Sequence, residues 1–219
     1  MKTCEHCGKD CAKRVPVMIK GKVSMVGIGC SKKFKRARRS DLAVSFFKSE
    51  DMISRGVIIL SGIPGSGKSS YVKPYIDAGL VTRRSSVCSA DDYFMKSGKY
   101  VFNPSKLGVA HAECLRKFIE ACQSYENNML GGYYITGGGI AAIVDNTNTS
   151  VLEIGPYYSV AKAYDLDVTL VTLKCDPSVC AARNTHGVPL VGCERMAAAI
   201  ASRSIPPYWD LKTRTIDCP

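Results

Sequence analysis

The chain contains 219 residues, of which 46% are hydrophobic and 11 are cysteines, and it carries a formal net charge of +11. This length allows one ordinary domain plus a small module, and the hydrophobic content excludes disorder throughout. The charge is uneven, because residues 1–55 hold 14 Lys+Arg against 5 Asp+Glu, whereas residues 56–219 hold 16 against 14. The resulting +9 predicts a polyanionic partner for the first quarter, either nucleic acid or an anionic membrane surface, ahead of a near-neutral globular domain.

Neither a membrane span nor a secretory signal is predicted. Crossing a bilayer needs an apolar run of ~20 residues, and no run approaches that length. Charge and cysteine occupy the first seven positions, where a signal peptide would begin its apolar region. We therefore expect a reducing, intracellular location, cytoplasmic with the nucleus not excluded. There, cysteines serve as metal ligands or buried thiols, and the seven cysteines after residue 55 are expected to be buried thiols.

Residues 1–30 predict a small zinc-binding module. A C-x-x-C pair opens the segment and two further cysteines follow, which gives four candidate ligands: Cys4, Cys7, Cys11 and Cys30. Four thiolates suit tetrahedral Zn²⁺, and metal binding can fold a stretch that is too short for its own core. His6 is an alternative to Cys11 as the fourth ligand. Free thiols in a flexible tail are the competing interpretation.

Residues 31–55 are predicted to form a basic linker and a helix. The run at 31–41 is rich in Lys and Arg, and 42–54 has apolar residues at roughly helical spacing. Cations offset phosphate charge without sequence specificity, so we expect this run to contact nucleic acid. A solvated linker or the polar face of a helix is the alternative.

From residue 56 onward, short apolar runs alternate with helical patterns. Strands are predicted at 57–60, 86–89, 140–144 and 168–173. Helices are predicted from the glycine-rich turn to about 78, from 104, at 151–163, near 177–183 and at 190–202. Such alternation predicts an α/β domain over 56–219, in which helices cover both faces of a parallel sheet. The glycine-rich stretch 131–139 predicts a surface loop or small hairpin.

The first strand leads into a complete G-x-x-x-x-G-K-[ST] phosphate loop, the P-loop. Its glycines let backbone N–H groups turn toward a phosphate at a helix N-terminus. Lys68 is expected to reach the β- and γ-phosphates of ATP, and Ser69 to place its hydroxyl on Mg²⁺. The predicted nucleotide-binding residues are Gly62, Gly65, Ser66, Gly67, Lys68, Ser69 and Ser70. The motif alone does not name a reaction.

Paired acids follow the second predicted strand. Parallel strands present their carboxyl ends at one edge of the sheet, so Asp91 and Asp92 should lie beside the phosphate loop. A carboxylate there can accept the proton of a substrate hydroxyl while the γ-phosphoryl group is transferred. Capping a helix N-terminus is the structural alternative, and the two roles can be divided between the two acids.

Five segments together resemble the polynucleotide 5′-hydroxyl kinase family, which includes the kinase domain of bacteriophage polynucleotide kinase and the P-loop domain of animal NEDD-ligase-binding proteins. They occur in order over about residues 56–205, at 62–69, 89–94, 102–107, 144–149 and 182–189. The resemblance implies that Asp91 is the general base and that Arg183 belongs to a lid over the donor phosphates. It also makes Asp92, Asp145 and Asn148 second-rank substrate candidates, although Asp and Asn at the end of a strand also favour a turn.

Two departures from the family pattern concern the acceptor. The phage enzyme has an arginine that holds an acceptor phosphate, and Phe94 stands at that position here. The animal branch of the family has the same replacement. Lys96 or Lys99 could take over that contact. His186 follows the lid arginine where the phage lid has a further basic residue.

These features predict ATP-dependent, Mg²⁺-assisted phosphoryl transfer to a 5′-hydroxyl of RNA or DNA. The catalytic residues would be Lys68, Asp91 and Arg183. Whether a ligase or phosphatase partner acts with the protein stays open. One alternative is a kinase of a small acceptor, a nucleoside or nucleotide sugar, similar to the zeta-toxin kinases. Another is a non-catalytic module that binds ATP and nucleic acid.

Overall fold

The structure is a computed structural model. It describes residues 56–77, 80–84, 86–130 and 139–218, with backbone alone at 127–130, together with four short strands before residue 28. Those strands are β1 (Lys2–Thr3), β2 (Asp10–Cys11), β3 (Arg14–Ile19) and β4 (Lys22–Gly27). Strands β1 and β2 pair antiparallel, and so do β3 and β4.

Several N-terminal predictions lie outside the described residues. They concern the zinc ligands Cys4, Cys7 and Cys30, the alternative ligand His6 and the basic segment 31–55. Cys11 ends strand β2, but its side chain is not described. The glycine-rich stretch 131–138 is likewise outside. In the part of the chain that is described, no group of three His, Cys, Asp or Glu side chains could hold a metal ion.

The centre of the fold is a five-stranded sheet. Its strands are β5 (Gly56–Ser61), β6 (Val87–Cys88), β9 (Ile140–Val144), β10 (Val168–Lys174) and β11 (Lys212–Asp217). They run in the order β11-β10-β5-β9-β6, and all neighbouring pairs are parallel. The strand before the phosphate loop therefore lies at the middle of the sheet, between β9 and β10.

Helices cover both faces of this sheet, as the sequence predicts. They are α1 (Lys68–Asp77), α2 (Leu107–Leu130), α3 (Val151–Ala163), α4 (Pro177–Arg183) and α5 (Leu190–Ser202). Strand β5 is buried along its whole length. Val57 and Ile59 pack on the side of α2 and α3, whereas Ile58 and Leu60 pack on the side of α1. Two apolar layers explain why buried parallel strands read as continuous apolar runs.

Two elements escape the sequence prediction. Strand β11 is exposed and rich in Lys, Thr and Arg, so no apolar run marks it, but it pairs with β10 over six residues. A small hairpin, β7 (Met95–Lys96) and β8 (Lys99–Tyr100), follows the paired acids. Its two turn residues, Ser97 and Gly98, have φ of 48° and 79°, the positive values that a tight type I′ turn requires. None of the described helices is long and apolar enough to span a membrane.

Candidate active site

A cavity of about 1130 Å³ lies at the carboxyl ends of the strands. The segments that follow β5, β6 and β9 contribute to its wall, and the stretch after α4 closes over it. This is the edge at which open parallel sheets bind their ligands. The predicted residues that line it are Gly65, Ser66, Gly67, Lys68, Ser69, Ser70, Asp91, Asp92, Asp145 and Arg183.

The phosphate loop depends on its glycines for two different reasons. Gly65 and Gly67 have φ of +84° and +91°, a region that residues with a Cβ atom rarely adopt. At Gly62, which has ordinary φ, an added Cβ would lie 2.6 Å from the Ser66 hydroxyl and 3.0 Å from the Leu173 carbonyl. Gly62 does not line the cavity; it lets the loop turn back onto β10.

Lys68 stands at the start of α1 and folds back over the loop. Its Nζ donates to the carbonyl oxygens of Gly62 at 2.8 Å and Ile63 at 3.0 Å. Burial lowers the pKa of Lys68 below its ordinary value, while the charges of Asp145 and Asp91 act in the opposite direction. The Lys68 ammonium group therefore interacts electrostatically with Asp145 and Asp91.

Ser69 and Asp145 form an oxygen pair that fits Mg²⁺. The Ser69 hydroxyl donates to Asp145 Oδ2 at 3.4 Å, from the second residue of α1 to the residue that follows β9. Mg²⁺ prefers oxygen ligands and is held by few protein groups beside substrate phosphates. Burial raises the pKa of Asp145, and this outweighs the opposing effects of Lys68, Arg83 and the Ser69 hydrogen bond. A bound cation would favour the charged carboxylate that burial disfavours.

Asp91 lies in a 3-10 helix (Ala90–Phe94) directly after β6. Ser89 caps this helix, its hydroxyl accepting from the Asp91 N–H, while Asn146 accepts from the Ala90 N–H at 2.9 Å. Tyr100 donates its hydroxyl proton to Asp91 Oδ1 at 3.0 Å. The other oxygen, Oδ2, lies 3.6 Å from His186 Nε2. The carboxylate is half exposed to the cavity.

Asp92 is held by two cations. Arg83 Nη2 donates to one of its oxygens at 3.1 Å, and Lys117 Nζ, from α2, donates to the other at 3.0 Å. Arg83 also lies 3.7 Å from Asp145 Oδ2, so it bridges Asp92 and Asp145. The 3-10 helix is capped by Ser89 and not by either acid, so the capping role considered for one of them is not observed. Asp92 is paired with two cations, whereas Asp91 is half exposed to the cavity.

Arg183, which the resemblance assigns to a lid, is the last residue of α4. Its Nε donates to the Gly65 carbonyl at 2.6 Å, which places the guanidinium group against the phosphate loop. Asn184 then fixes the next turn: its Nδ2 donates to the Val188 carbonyl at 3.0 Å and its Oδ1 accepts from the Val188 N–H at 2.8 Å. His186 lies within this turn and so reaches Asp91 from the opposite side of the cavity.

Asn148, a predicted substrate residue, does not line the cavity. Its side chain is 2% exposed and donates to the Leu60 carbonyl at 2.6 Å. Arg203 donates to the Asn148 carbonyl at 2.6 Å, to the Ser61 hydroxyl at 2.8 Å and to Thr172 Oγ1 at 3.2 Å. Asn148 therefore tethers the end of β5 beneath the loop. A polar residue after a strand, read from sequence alone, fits either role.

The three positions discussed for an acceptor phosphate do not reach the cavity. Phe94 is 2% exposed and packs in the core beside α2. Lys96 and Lys99 lie in the hairpin, and neither lines the cavity. The cation that does line it on this side is Arg83, from the loop before β6.

Sequence reasoning missed Arg83, Tyr100, Lys117 and Arg203. No local motif contains them, since each reaches the site through a contact with a distant segment. The one available signal was the Ser97–Gly98 dipeptide, which is typical of a tight hairpin and would have turned Tyr100 back toward Asp91.

The phosphate loop after the central strand β5, Asp145 after the neighbouring strand β9, Asp91 after the edge strand β6 and Arg183 against the loop are the features of a P-loop kinase-like domain, a class that uses ATP and Mg²⁺. Residues 57–186, more than half of the chain, match the family described as an AAA domain, and the chain belongs to this family.

NEDD4-binding protein 2 from Homo sapiens is 28% identical over 153 residues, which cover 68% of this chain and 8% of that protein. The chain thus spans less than a tenth of this relative's length. Among solved structures, a Pnkp1/Rnl/Hen1 complex aligns with 20% identity and a TM-score of 0.41, covering 62% of this chain and 41% of that one. A gluconokinase from Sinorhizobium meliloti aligns with 14% identity and a TM-score of 0.44, covering 74% and 82%.

Proposed function

We propose that this protein is an ATP-dependent kinase that transfers the γ-phosphate to the 5′-hydroxyl end of RNA or DNA. The observation that carries the proposal is the position of Asp91. Its half-exposed carboxylate lines the same cavity as Lys68 and Ser69 of the phosphate loop. A donor phosphate and a proton acceptor for an attacking hydroxyl can therefore be held in one cavity.

In the proposed reaction, Asp91 accepts the proton of the 5′-hydroxyl as its oxygen bonds to the γ-phosphorus. The bond between that phosphorus and the β–γ bridging oxygen breaks, and ADP leaves. Lys68 and Arg183 offer fixed positive charge to the phosphoryl oxygens during transfer. Ser69 and Asp145 would hold Mg²⁺, which would neutralise phosphate charge.

The charge of the cavity bears on how a polynucleotide is held. Of the described residues that line it, three are cations (Lys68, Arg83 and Arg183) and four are carboxylates (Asp91, Asp92, Asp145 and Glu153). Such a cavity does not attract a polyanion by net charge. The excess of positive charge lies in residues 1–55, so we propose that this segment contributes most of the salt-dependent affinity for nucleic acid.

Transfer of labelled γ-phosphate to 5′-hydroxyl oligonucleotides tests the function directly. Single-stranded RNA, single-stranded DNA and a structured RNA end serve as acceptors, and 5′-phosphorylated versions are the matched negative controls. We expect Asp91→Asn to lose at least ~100-fold in kcat, because general base catalysis contributes on the order of 10²–10⁴, while ATP binding persists. Absence of label on every oligonucleotide with the intact chain would sink the proposal.

A kinase of a small acceptor is the second candidate, and one observation favours it. The residue at the family's acceptor-phosphate position, Phe94, is buried in the core and cannot contact a polynucleotide backbone. A nucleoside or a nucleotide sugar needs no such contact. Competition between a 5′-hydroxyl oligonucleotide and its free nucleoside decides: a higher kcat/KM for the nucleoside would establish the small-acceptor reaction.

For the N-terminal part, we propose a zinc module at 1–30 with Cys4, Cys7, Cys30 and either Cys11 or His6 as ligands, followed by a basic connection to residue 55. Metal analysis of the full chain under reducing conditions should find one Zn²⁺ per chain. Replacing Cys4 and Cys7 together by serine should remove it. Equal zinc in the two proteins, or none in the wild type, contradicts the assignment.

A further inference from the structure

The two oxygens of Asp91 have different surroundings. Oδ1 accepts a hydrogen bond from the Tyr100 hydroxyl at 3.0 Å. Oδ2 faces His186 Nε2 across 3.6 Å, just beyond hydrogen-bond distance. The carboxylate is thus held at one oxygen and presents the other toward the cavity.

Tyr100 is itself placed by packing on several sides. It ends the β7–β8 hairpin, whose two-residue turn returns the chain to the paired acids. Its ring lies parallel to that of Phe102, with centroids 6.3 Å apart, and meets the Phe94 ring at 6.0 Å. On the lid side, the His186 ring centroid is 4.5 Å away. A ring in contact with three others has little freedom to reorient.

The chemistry of the Tyr100 hydroxyl suits it to donate and not to react. Burial raises the pKa of Tyr100 above its ordinary value, and the charge of Asp91 and the hydrogen bond to it raise it further. The phenol therefore keeps its proton. A permanent donor on Oδ1 leaves the lone pairs of Oδ2 as the natural acceptor for an incoming hydroxyl proton.

From this geometry we propose that Tyr100 is a positioning residue, which fixes the Asp91 carboxylate so that Oδ2 faces the acceptor hydroxyl. The proposal rests on the proposed function, in which Asp91 is the general base. The same ring packs at a tilt against His186, so the turn that follows Arg183 contacts the residue that orients the base.

The variant Tyr100→Phe removes one hydroxyl and keeps the ring. In transfer assays we expect kcat to fall by about 10- to 100-fold, because a misplaced catalytic group costs up to ~10² in rate. The KM for ATP and the affinity for ATP should stay within about twofold, since Tyr100 bonds to no residue of the phosphate loop. Tyr208→Phe, at a tyrosine that is 82% exposed and outside the cavity lining, is the matched control.

A double variant separates positioning from a general structural role. If Tyr100 acts through Asp91, Tyr100→Phe should cause no further loss in an Asp91→Asn background. Two independent losses that multiply would overturn the proposal, and so would wild-type kcat in Tyr100→Phe.

A second readout does not depend on turnover. Crystal structures of the wild type and of Tyr100→Phe should show one Asp91 side-chain orientation in the wild type and a rotated or divided one in the variant. The same single orientation in both would refute the inference even if no acceptor were found. If the proposed function is wrong and the Tyr100 inference is right, the wild type labels no oligonucleotide but the Asp91 orientation still differs between the wild type and Tyr100→Phe.

Discussion

Replacing Gly65 by alanine tests whether the lid helix packs directly on the phosphate loop. Gly65 has φ of +84°, and an added Cβ would overlap the carbonyl oxygen of Cys180, whose carbonyl carbon and Cα lie 3.1 Å away. Cys180 belongs to α4, so this overlap falls on helix backbone and cannot be relieved by a side-chain rotation. Gly67 is the matched control, because its φ is +91° but none of the described atoms lies within 4 Å of its added Cβ.

Both substitutions carry the conformational cost of positive φ, which is roughly 1–2 kcal/mol for a residue with a Cβ atom. Gly65→Ala adds the cost of overpacking, typically ~1–3 kcal/mol, because α4 must move away from the loop. We therefore expect Gly65→Ala to lower the free energy of unfolding by about 2–5 kcal/mol, and Gly67→Ala by about 1–2 kcal/mol.

Urea unfolding followed by fluorescence of Trp209, the one tryptophan of the chain, measures this difference. Trp209 stacks on Tyr158 at 4.4 Å and packs against the core of the domain, so it reports on the unfolding of this domain. Displacement of α4 should also separate Arg183 from the Gly65 carbonyl and weaken ATP binding. Equal stability of the two variants would refute the contact between α4 and the loop.

Three further outcomes follow from the site. Burial raises the pKa of Asp145, so Asp145→Asn should stabilise the folded protein at neutral pH in urea unfolding. The gain in the free energy of unfolding should shrink as the pH falls through the raised pKa of folded Asp145, and it should vanish below the ordinary pKa of an aspartate. If Asp145→Asn is less stable than the wild type at neutral pH, the prediction is wrong. Asn148→Ala should cost about 1–3 kcal/mol of stability through a lost buried hydrogen bond; unchanged stability with a raised acceptor KM would make Asn148 a substrate contact. Among the described cysteines, peptide-resolved alkylation of the native protein should modify Cys175 and Cys218 before Cys122, whose pKa burial raises to about 12, and equal rates would refute this burial.

The strands of the sheet were predictable where they are buried, because buried strands have apolar sequences. Strands β5, β9 and β10 are buried on both faces, which requires nearly continuous apolar runs, and these runs were found. Strand β11 lies at the edge of the sheet and is mostly exposed, so its Lys and Thr side chains leave no hydrophobic pattern. Backbone hydrogen bonds place β11 beside β10, and the residue types of the strand do not reveal such pairing.

Cysteine burial follows the same rule. Of the seven cysteines predicted to be buried thiols, five are buried: Cys88, Cys114, Cys122, Cys180 and Cys193. Cys175 and Cys218 follow the ends of β10 and β11 and are partly exposed.

The two sides of the cavity differ in how much of their structure the sequence predicts. The donor side is a contiguous loop in which spacing and residue type are dictated by one phosphate-binding geometry, so a motif of eight residues describes it. The proposed acceptor side joins Asp91, Tyr100 and His186 from three separate segments, which the packing of the hairpin against the turn after Arg183 brings together. Among the described residues, Tyr100 and His186 form no hydrogen bond with the phosphate loop. We therefore expect substitutions at these two positions to alter acceptor choice while the nucleotide site is retained. Divergence of acceptor specificity on a constant phosphate loop is the behaviour that this division of the site predicts.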